Sequence, residues 1–383
     1  MICLVYNTPM QRLNKELDEL KSKDLYRKRL VVEPSNDFPY VQIEGKRVLS
    51  FASNNYFGLG STTPSGEPFV QMSSPLVTGY TTSHQTLEER LASLKGLPAG
   101  LLFSSGFTAN SALLSTLIGP KDAVLLDKYC HASLMEITRN SNAHFHSFPH
   151  KRYDLARKKL AKLRPLYEVV YLVSDTLFSM EGDEADLAEL SNLAKTFNVV
   201  LILDDAHAMG CCGQNGEGLA TLASLGLNPN QLIVTGTLSK ALGSYGGFVC
   251  ASETVVEYLI NKARPYIYNT ALPLVHVEAA LQHLAGIPKP QEKLLANIAY
   301  FTELLHIKNH PPYSPIIKIP VGDNDKALQL SGVLLHQGLH VPAIRYPTVP
   351  RKDAMLRVSL SASHTFEQLR ALSQALAHGT MTP

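Results

Sequence analysis

The chain has 383 residues, 45% of them hydrophobic, which is enough to bury a large core and predicts one large domain plus a smaller one. Its 35 basic and 33 acidic side chains give a formal net charge of +2 with no dense basic run, so we expect no nucleic-acid partner. The sequence lacks a long apolar stretch, a secretory signal pattern and a disulfide framework, so a cytoplasmic protein without membrane association is expected.

The N-terminal part predicts an arm followed by a hairpin. Residues 10–29 place Leu13, Leu17 and Leu20 on one side of a helix whose other faces are charged, which predicts an amphipathic arm. The stretch VQIEGKRVLSF alternates around Glu44 and Gly45, which is typical of a β-hairpin, and SNNYFGLG then breaks regular structure. We assign residues 1–45 to the arm.

From Gly79 to about Leu284, helical and strand segments alternate. The strand segments are apolar nearly throughout, as in GLLFSSG, AVLLD, VVYLVSD, VVLILDD and LIVTGTLSK. This pattern predicts an α/β fold with a mainly parallel central sheet flanked by helices. Residues 46–285 would form this large domain, with a ligand site beyond the carboxyl ends of the strands.

The remaining residues, 286–383, have a different pattern. Strand segments such as YSPIIKIPVG, HVPAIRYP and MLRVSLS alternate with the helical segments KALQLSGVLLHQG and TFEQLRALSQALAHG. We predict a smaller C-terminal α+β domain from these segments.

Two strand ends carry the strongest candidates for chemistry. Lys240 follows hydroxyl residues in TGTLSKALGSYGG, although such a lysine by itself is more often a solvated strand-end residue. Asp204, Asp205 and His207 follow the apolar strand of VVLILDDAHAMG. A carboxylate beside a pyridine nitrogen favours the protonated ring, which can then accept electrons, so Asp204 is the candidate for this role and Asp205 for a turn cap.

Other strand ends carry weaker candidates. Gly106 and Phe107 lie where a strand becomes a helix, so their backbone N–H groups can receive a phosphate. His131 follows AVLLD and Ser179 follows VVYLVSD, but a lone histidine is commonly structural and a serine commonly caps a helix.

Taken in order, SNNYFGLG, SGFTAN, HASL, FSMEGD, DDAHAMG, TLSK and AIRYPTVP resemble the α-oxoamine synthase family of fold-type I enzymes that use pyridoxal 5′-phosphate (PLP). The resemblance covers nearly the whole chain. AIRYPTVP followed by LRVSLSASHT is most similar to the branch of biotin biosynthesis that condenses L-alanine with a pimeloyl thioester, carried by CoA or by acyl carrier protein, with loss of carbon dioxide.

The resemblance also implies roles for single residues. Lys240 would form the Schiff base with PLP and move protons at the substrate Cα, Asp204 would pair with the ring nitrogen, His207 with the phenolic oxygen, and His131 would stack on the ring. The implied cofactor contacts also include Gly106, Phe107, Ser179 and Thr237, and the implied substrate contacts are Arg27, Asn54, His131, Arg345 and Thr348. The resemblance further implies a homodimer, and no metal is expected.

Three alternative functions stay open. The first is a sister enzyme that uses glycine or serine with a different acyl-CoA. The second is a PLP enzyme of another class, such as an aldolase or a transaminase. The third is a regulatory subunit without cofactor, which the joint retention of Lys240, Asp204, His207 and His131 disfavours.

One segment departs from the pattern of the family. Residues 61–77 are shorter than in relatives, and Pro64, Gly66 and Pro68 disfavour a regular helix. We predict a mobile loop near the active site that substrate or dimer contacts order. The alternative is a compact surface turn without catalytic consequence.

Overall fold

The structure, a computed structural model, describes residues 17–23, 25–26, 30–34, 37–59 and 73–379. The chain divides into two compact units, one of Met1–Ala52, Lys318–Val358 and Leu376–Pro383 and the other of Ser53–Ile317 and Ser359–Ala375. The three-part division with boundaries after residues 45 and 285 stays a prediction.

The N-terminal segment contains a short helical stretch and a hairpin. Residues 17–22 are helical but Leu25 and Tyr26 are not, so the helix predicted to reach residue 29 ends earlier; the rest of its range lies outside the described residues. Strands β1 (Val32–Pro34), β2 (Tyr40–Ile43) and β3 (Lys46–Ser50) pair antiparallel in sequence order. Glu44 and Gly45 both have positive φ, as a two-residue hairpin turn requires, so the predicted hairpin is confirmed.

A seven-stranded sheet lies at the centre of the unit that contains residues 53–317. Its strands are β4 (Ala99–Phe103), β5 (Ala123–Asp127), β6 (His144–Phe148), β7 (Val170–Asp175), β8 (Val200–Asp204), β9 (Leu232–Thr237) and β10 (Gly247–Ala251). Their order is β4-β10-β9-β8-β7-β5-β6, and β10 is antiparallel to both of its neighbours while the other pairs are parallel. The predicted mainly parallel sheet is confirmed.

Helices cover this sheet. They are α1 (Thr82–Lys95), α2 (Gly106–Leu117), α3 (Ala132–Asn140), α4 (Tyr153–Leu163), α5 (Leu187–Phe197), α6 (Leu222–Leu225), α7 (Glu253–Lys262), α8 (Arg264–Ile267), α9 (Leu274–Ala285) and α10 (Pro288–Leu304). Val124 and Leu126 of β5 belong to a core with Leu113 of α2, and Leu125 between them is also buried. Because neighbouring strand residues point to opposite faces, β5 is buried on both. Among the described helices, none has the length and apolar character of a membrane span.

The C-terminal part contains β11 (Ile316–Gly322), α11 (Asn324–His336), β12 (Leu339–His340), β13 (Ala343–Ile344), β14 (Ala354–Ser359) and α12 (Phe366–Gly379). Strands β11, β14 and β13 form a small sheet, and β12 adds to β3 in parallel. This alternation of helix and strand matches the predicted α+β character.

The segment predicted as a mobile loop is described only at its end. Residues 61–72 lie outside the described residues, and Pro75–Gly79 forms a short π-helix. The Ser74 carbonyl accepts hydrogen bonds from the N–H groups of Val77 and Gly79, and Pro75 fits the first turn because it needs no N–H partner there. Residues 75–77 are therefore helical, which corrects this end of the predicted loop; its mobility stays a prediction.

Candidate active site

Acidic residues end three neighbouring strands of the central sheet. Asp127, Asp175 and Asp204 are the last residues of β5, β7 and β8, and Asp175 lies opposite Asp204 in the register of β7 and β8. Since these strands are parallel, their carboxyl ends share one edge of the sheet, where a doubly wound fold binds its ligand. Lys240 follows β9 at the same edge.

The Asp204 carboxylate is buried and held from two sides. Its Oδ2 accepts a hydrogen bond from Asn110 Nδ2 at 2.7 Å, and its Oδ1 accepts one from the N–H of Ala206 at 3.0 Å. Asn110 Nδ2 also donates to Ser133 Oγ at 2.9 Å. Asn110 was not among the predicted site residues. Its amide on the buried face of the apolar helix α2 was the available signal.

His207 belongs to a second hydrogen-bonded group. Its Nδ1 lies 2.8 Å from the hydroxyl of Tyr56, which donates to Asn54 Oδ1 at 3.2 Å. Tyr56 is fully buried and His207 nearly so, which fixes the imidazole beside the strand end. The structure thus brings together two predicted residues, His207 and Asn54, through Tyr56, which sequence reasoning missed.

His131 presents its ring at the mouth of the site. It caps α3, its N–H donates to Asp175 Oδ1 at 3.1 Å, and its Nδ1 lies 2.8 Å from Ser133 Oγ. The side chain is exposed to solvent on its remaining surface. Removal from water nevertheless lowers the pKa of His131; the charge of Asp204 opposes this shift and that of Lys240 adds to it. A neutral imidazole at neutral pH follows.

Lys240 interacts electrostatically with the other site residues. Its positive charge lowers the pKa of His131 and also acts on Asp175. Burial raises the pKa of the Asp175 carboxyl well above its usual range; Asp204 adds to this shift, whereas the His131 N–H and Lys240 oppose it. Lys240, His131 and Asp204 are therefore within electrostatic reach of one another. Asp175 was also missed, although it ends an apolar strand.

The start of α2 carries the residues predicted to contact a phosphate. Gly106 and Phe107 are its first residues, so their N–H groups have no partner within the helix, and Ser105 Oγ caps it by accepting from the Thr108 N–H at 3.0 Å. A Cβ on Gly106 would lie 3.4 Å from Cβ of Thr237. Thr237 Oγ1 in turn lies 2.8 Å from Ser239 Oγ. These groups can hold a phosphate.

Ser179 lies on the turn that follows β7. The N–H of Phe178 donates to the Asp183 carbonyl at 2.9 Å, and the N–H of Gly182 donates to the Phe178 carbonyl at 3.0 Å. These two bonds close a compact turn around Ser179, whose side chain is half-buried.

Three predicted substrate contacts belong to the N-terminal and C-terminal segments. Arg345 and Thr348 lie on the turn after β13, where the Thr348 N–H donates to the Arg345 carbonyl at 2.9 Å. Arg345 Nη2 donates to the Tyr26 carbonyl at 3.2 Å. Arg27 lies outside the described residues. The substrate roles of all three stay predictions.

Asp205 has a different role from its neighbour. Its Oδ2 forms a fully buried ion pair with Lys95 Nζ at 2.5 Å, and its Oδ1 accepts from Thr176 Oγ1 at 2.5 Å. This differs from the turn cap predicted for the Asp205 side chain. The N–H groups of Ala208 and Met209 donate to the carbonyl of Asp205 and not to its carboxylate. Lys95 is the last residue of α1, and the sequence gave no signal that it pairs with Asp205.

Comparisons with known proteins identify the family of the chain. The model of the aminotransferase class I and II family matches residues 46–376. The chain is 39% identical to the 8-amino-7-oxononanoate synthase of Saccharophagus degradans, over 95% of each chain. It is 40% identical to that of Hydrogenovibrio crunogenus, over 94% of each.

Solved structures share the fold. A variant of serine palmitoyltransferase from S. paucimobilis with a bound PLP–myriocin aldimine superimposes with a TM-score of 0.87 at 26% identity, covering 97% of this chain and 98% of that one. The 8-amino-7-oxononanoate synthase of Francisella tularensis gives a TM-score of 0.69 at 29% identity, covering 87% and 99%. The fold is that of a fold-type I PLP-dependent transferase. The chain belongs to the aminotransferase class I and II family.

Proposed function

We propose that the protein is a PLP-dependent acyltransferase of biotin biosynthesis that condenses L-alanine with a pimeloyl thioester to give 8-amino-7-oxononanoate. The observation that carries the proposal is the similarity, over nearly the full length, to relatives that bear this name. The positions of the residues support it, because Asp204 ends β8, Lys240 follows β9 and His131 precedes α3 at the carboxyl edge of the same sheet.

The residues present fit PLP. A buried, doubly held carboxylate at Asp204 suits the ring nitrogen, and the exposed ring of His131 suits stacking on a flat heterocycle. The N–H groups at the start of α2, together with Thr237 and Ser179, would hold the phosphate. When bound, PLP supplies an electron sink that stabilises negative charge at the substrate Cα.

Asp204 would keep a proton on the ring nitrogen of the cofactor by its negative charge. Asn110 fixes the direction of this carboxylate, and through Ser133 it also steadies His131. His207 would donate a hydrogen bond to the phenolic oxygen of the cofactor while Tyr56 holds its other nitrogen. These residues therefore orient the cofactor and set its electron-withdrawing power before any substrate binds.

Lys240 is the residue that moves protons. Its neutral amine would take the Cα proton of L-alanine and later return one, and Lys240 would hold the cofactor between turnovers. The new bond joins alanine Cα to the thioester carbonyl carbon, the thiolate leaves, and carbon dioxide is lost from the alanine carboxylate. A positively charged ring nearby lowers the pKa of a lysine, which favours the neutral amine.

The remaining parts of the proposal concern substrate contacts and surroundings. Arg345 and Asn54 would meet the amino-acid carboxylate, and Arg27 and Thr348 the acyl chain. The protein would act as a cytoplasmic homodimer, with CoA or acyl carrier protein as the thiol carrier.

A panel of substrates tests the proposed function. L-Alanine, glycine and L-serine are each combined with pimeloyl-CoA, pimeloyl-acyl carrier protein, acetyl-CoA and palmitoyl-CoA, while thiol release and product mass are followed. We expect L-alanine with a pimeloyl thioester to give the highest kcat/KM. The structural similarity to serine palmitoyltransferase suggests serine and palmitoyl-CoA as the alternative substrates. A preference for this pair would contradict the proposal.

A further inference from the structure

Two turns that carry predicted cofactor contacts meet at one histidine. His150 follows β6, its Nδ1 lies 3.1 Å from Asp127 Oδ1, and its Nε2 lies 3.2 Å from Asp183 Oδ2. Asp127 begins the turn that leads to His131, and Asp183 closes the turn that contains Ser179. The imidazole thus bridges two turns that come from different strands.

Both aspartates also organise the backbone of these turns. Asp127 Oδ1 accepts the N–H of Tyr129 at 2.8 Å, and its Oδ2 accepts the N–H of Lys151 at 2.9 Å. The main-chain carbonyl of Asp183 accepts the N–H of Phe178. A shift of either aspartate would therefore move the turn to which it belongs.

Aromatic rings hold the imidazole in place. The ring of His150 stacks on Tyr129, with centroids 4.4 Å apart and planes inclined by 16°, and meets Phe178 edge-on at 4.4 Å. Its side chain is only 17% exposed. Since the ring cannot turn freely and each nitrogen faces a carboxylate, the doubly protonated imidazolium is the form that donates to both.

The charges around His150 favour this cation. Burial lowers the pKa of His150, but the hydrogen bonds to Asp127 and Asp183 outweigh burial and raise it to about 9. Lys151 Nζ also lies 3.0 Å from Asp183 Oδ2. Glu184 and Tyr153 interact electrostatically with Asp183, and Asp175 and Cys130 interact with Asp127. The net surroundings of His150 stay acidic.

We propose that His150 is a positioning residue that holds the His131 turn and the Ser179 turn at the separation that the cofactor ring and phosphate require. The inference rests on the proposed use of PLP but not on the choice of substrate. His150 touches neither cofactor nor substrate; it acts through Asp127 and Asp183.

The test compares His150→Gln with wild type. We expect the dissociation constant of PLP to rise about tenfold, because the variant loses a charge-assisted hydrogen bond on each side. The circular dichroism of the PLP band should change. In the wild type, the dissociation constant of PLP should rise above a pH of about 9, and this rise should be absent from the variant. In protein stripped of PLP, hydrogen exchange should accelerate at both turns, measured at the N–H groups of Tyr129 and Gly182.

Lys121→Gln is the matched control, because Lys121 and Glu168 form an exposed ion pair that also joins distant residues. It should leave all of these readouts unchanged. A lower melting temperature of His150→Gln with unchanged PLP affinity, dichroism and pH profile would mean a merely structural role and overturn the inference. Faster exchange at one turn alone would overturn it as well. A wild type that binds PLP but fails the substrate panel would contradict the proposed function only.

Discussion

Two adjacent aspartates show how the fold separates chemistry from stability at the scale of single residues. Asp204 meets neutral donors, Asn110 and the Ala206 N–H, so its negative charge remains available to a ligand. Asp205 is neutralised by Lys95 in a pair without solvent contact. One carboxylate is therefore poised for function and the other is part of the core.

The same contrast gives a prediction. Asp204→Asn should lower kcat by about a hundredfold or more, because the ring nitrogen loses its counter-charge, with little change in stability. Asp205→Asn should instead lower the free energy of unfolding by about 3–5 kcal/mol, because the buried Lys95 would lose its counter-charge. Urea denaturation and steady-state kinetics separate the two effects. Equal losses of activity and stability in both variants would refute the assignment.

Lys240 gives a second prediction at this scale. Borohydride treatment followed by peptide mapping should label Lys240, and Lys240→Ala should retain PLP through Asp204 and the phosphate contacts while losing essentially all turnover. Lys262, the last residue of helix α7, provides the control. The variant Lys262→Ala should still be labelled at Lys240 and should keep its activity. Recovery of the label on another lysine would disprove the assignment.

At the scale of elements, the close approach of β10 to α2 shapes the start of α2, where we propose that the phosphate binds. A Cβ on Gly247 would lie only 2.4 Å from the backbone N of Gly106 and the carbonyl of Ser105. The first turn of α2 can therefore stand over β9 and β10 only if β10 begins with glycine.

Gly247→Ala should consequently displace the start of α2 and weaken PLP binding by about tenfold or more, since phosphate hydrogen bonds depend on its N–H groups. Gly332→Ala in α11 is the control, because a Cβ there meets no atom within 4 Å. It should stabilise the protein by about 0.5–1 kcal/mol. Fluorescence titration with PLP and urea denaturation measure both effects. Unchanged PLP affinity of Gly247→Ala would exclude this account of the start of α2.

For the whole molecule, His150 predicts how stability depends on pH. Its pKa is raised to about 9 in the folded state, against about 6.5 in an unfolded chain. The interactions that raise this pKa stabilise the fold fully below a pH of about 6.5. Their contribution to stability is lost as the pH rises to about 9. The free energy of unfolding should therefore fall by up to about 3 kcal/mol across this range. The loss should be absent from His150→Gln; an equal slope in that variant would assign the pH dependence to other groups.

The sequence by itself determined the class of fold and the position of the central candidate residues along the chain. Apolar strands separated by helices specify a parallel sheet, because only a sheet covered on both faces accommodates strands such as β5 and β7. Asp204 ends such a strand, and His207 and Lys240 come three residues after one, so their place at the carboxyl edge follows from local order along the chain.

Only the tertiary structure decided which distant side chains complete the site. Lys95 pairs with Asp205 across 110 positions, Tyr56 reaches His207 across 151, and His150 joins Asp127 and Asp183 across 23 and 33. Hydrophobic periodicity records which face of an element is buried but not which element lies against it. These partners depend on the order of strands in the sheet, which places β7 between β5 and β8. This order decides which polar groups are buried near one another, and buried polar groups form hydrogen bonds.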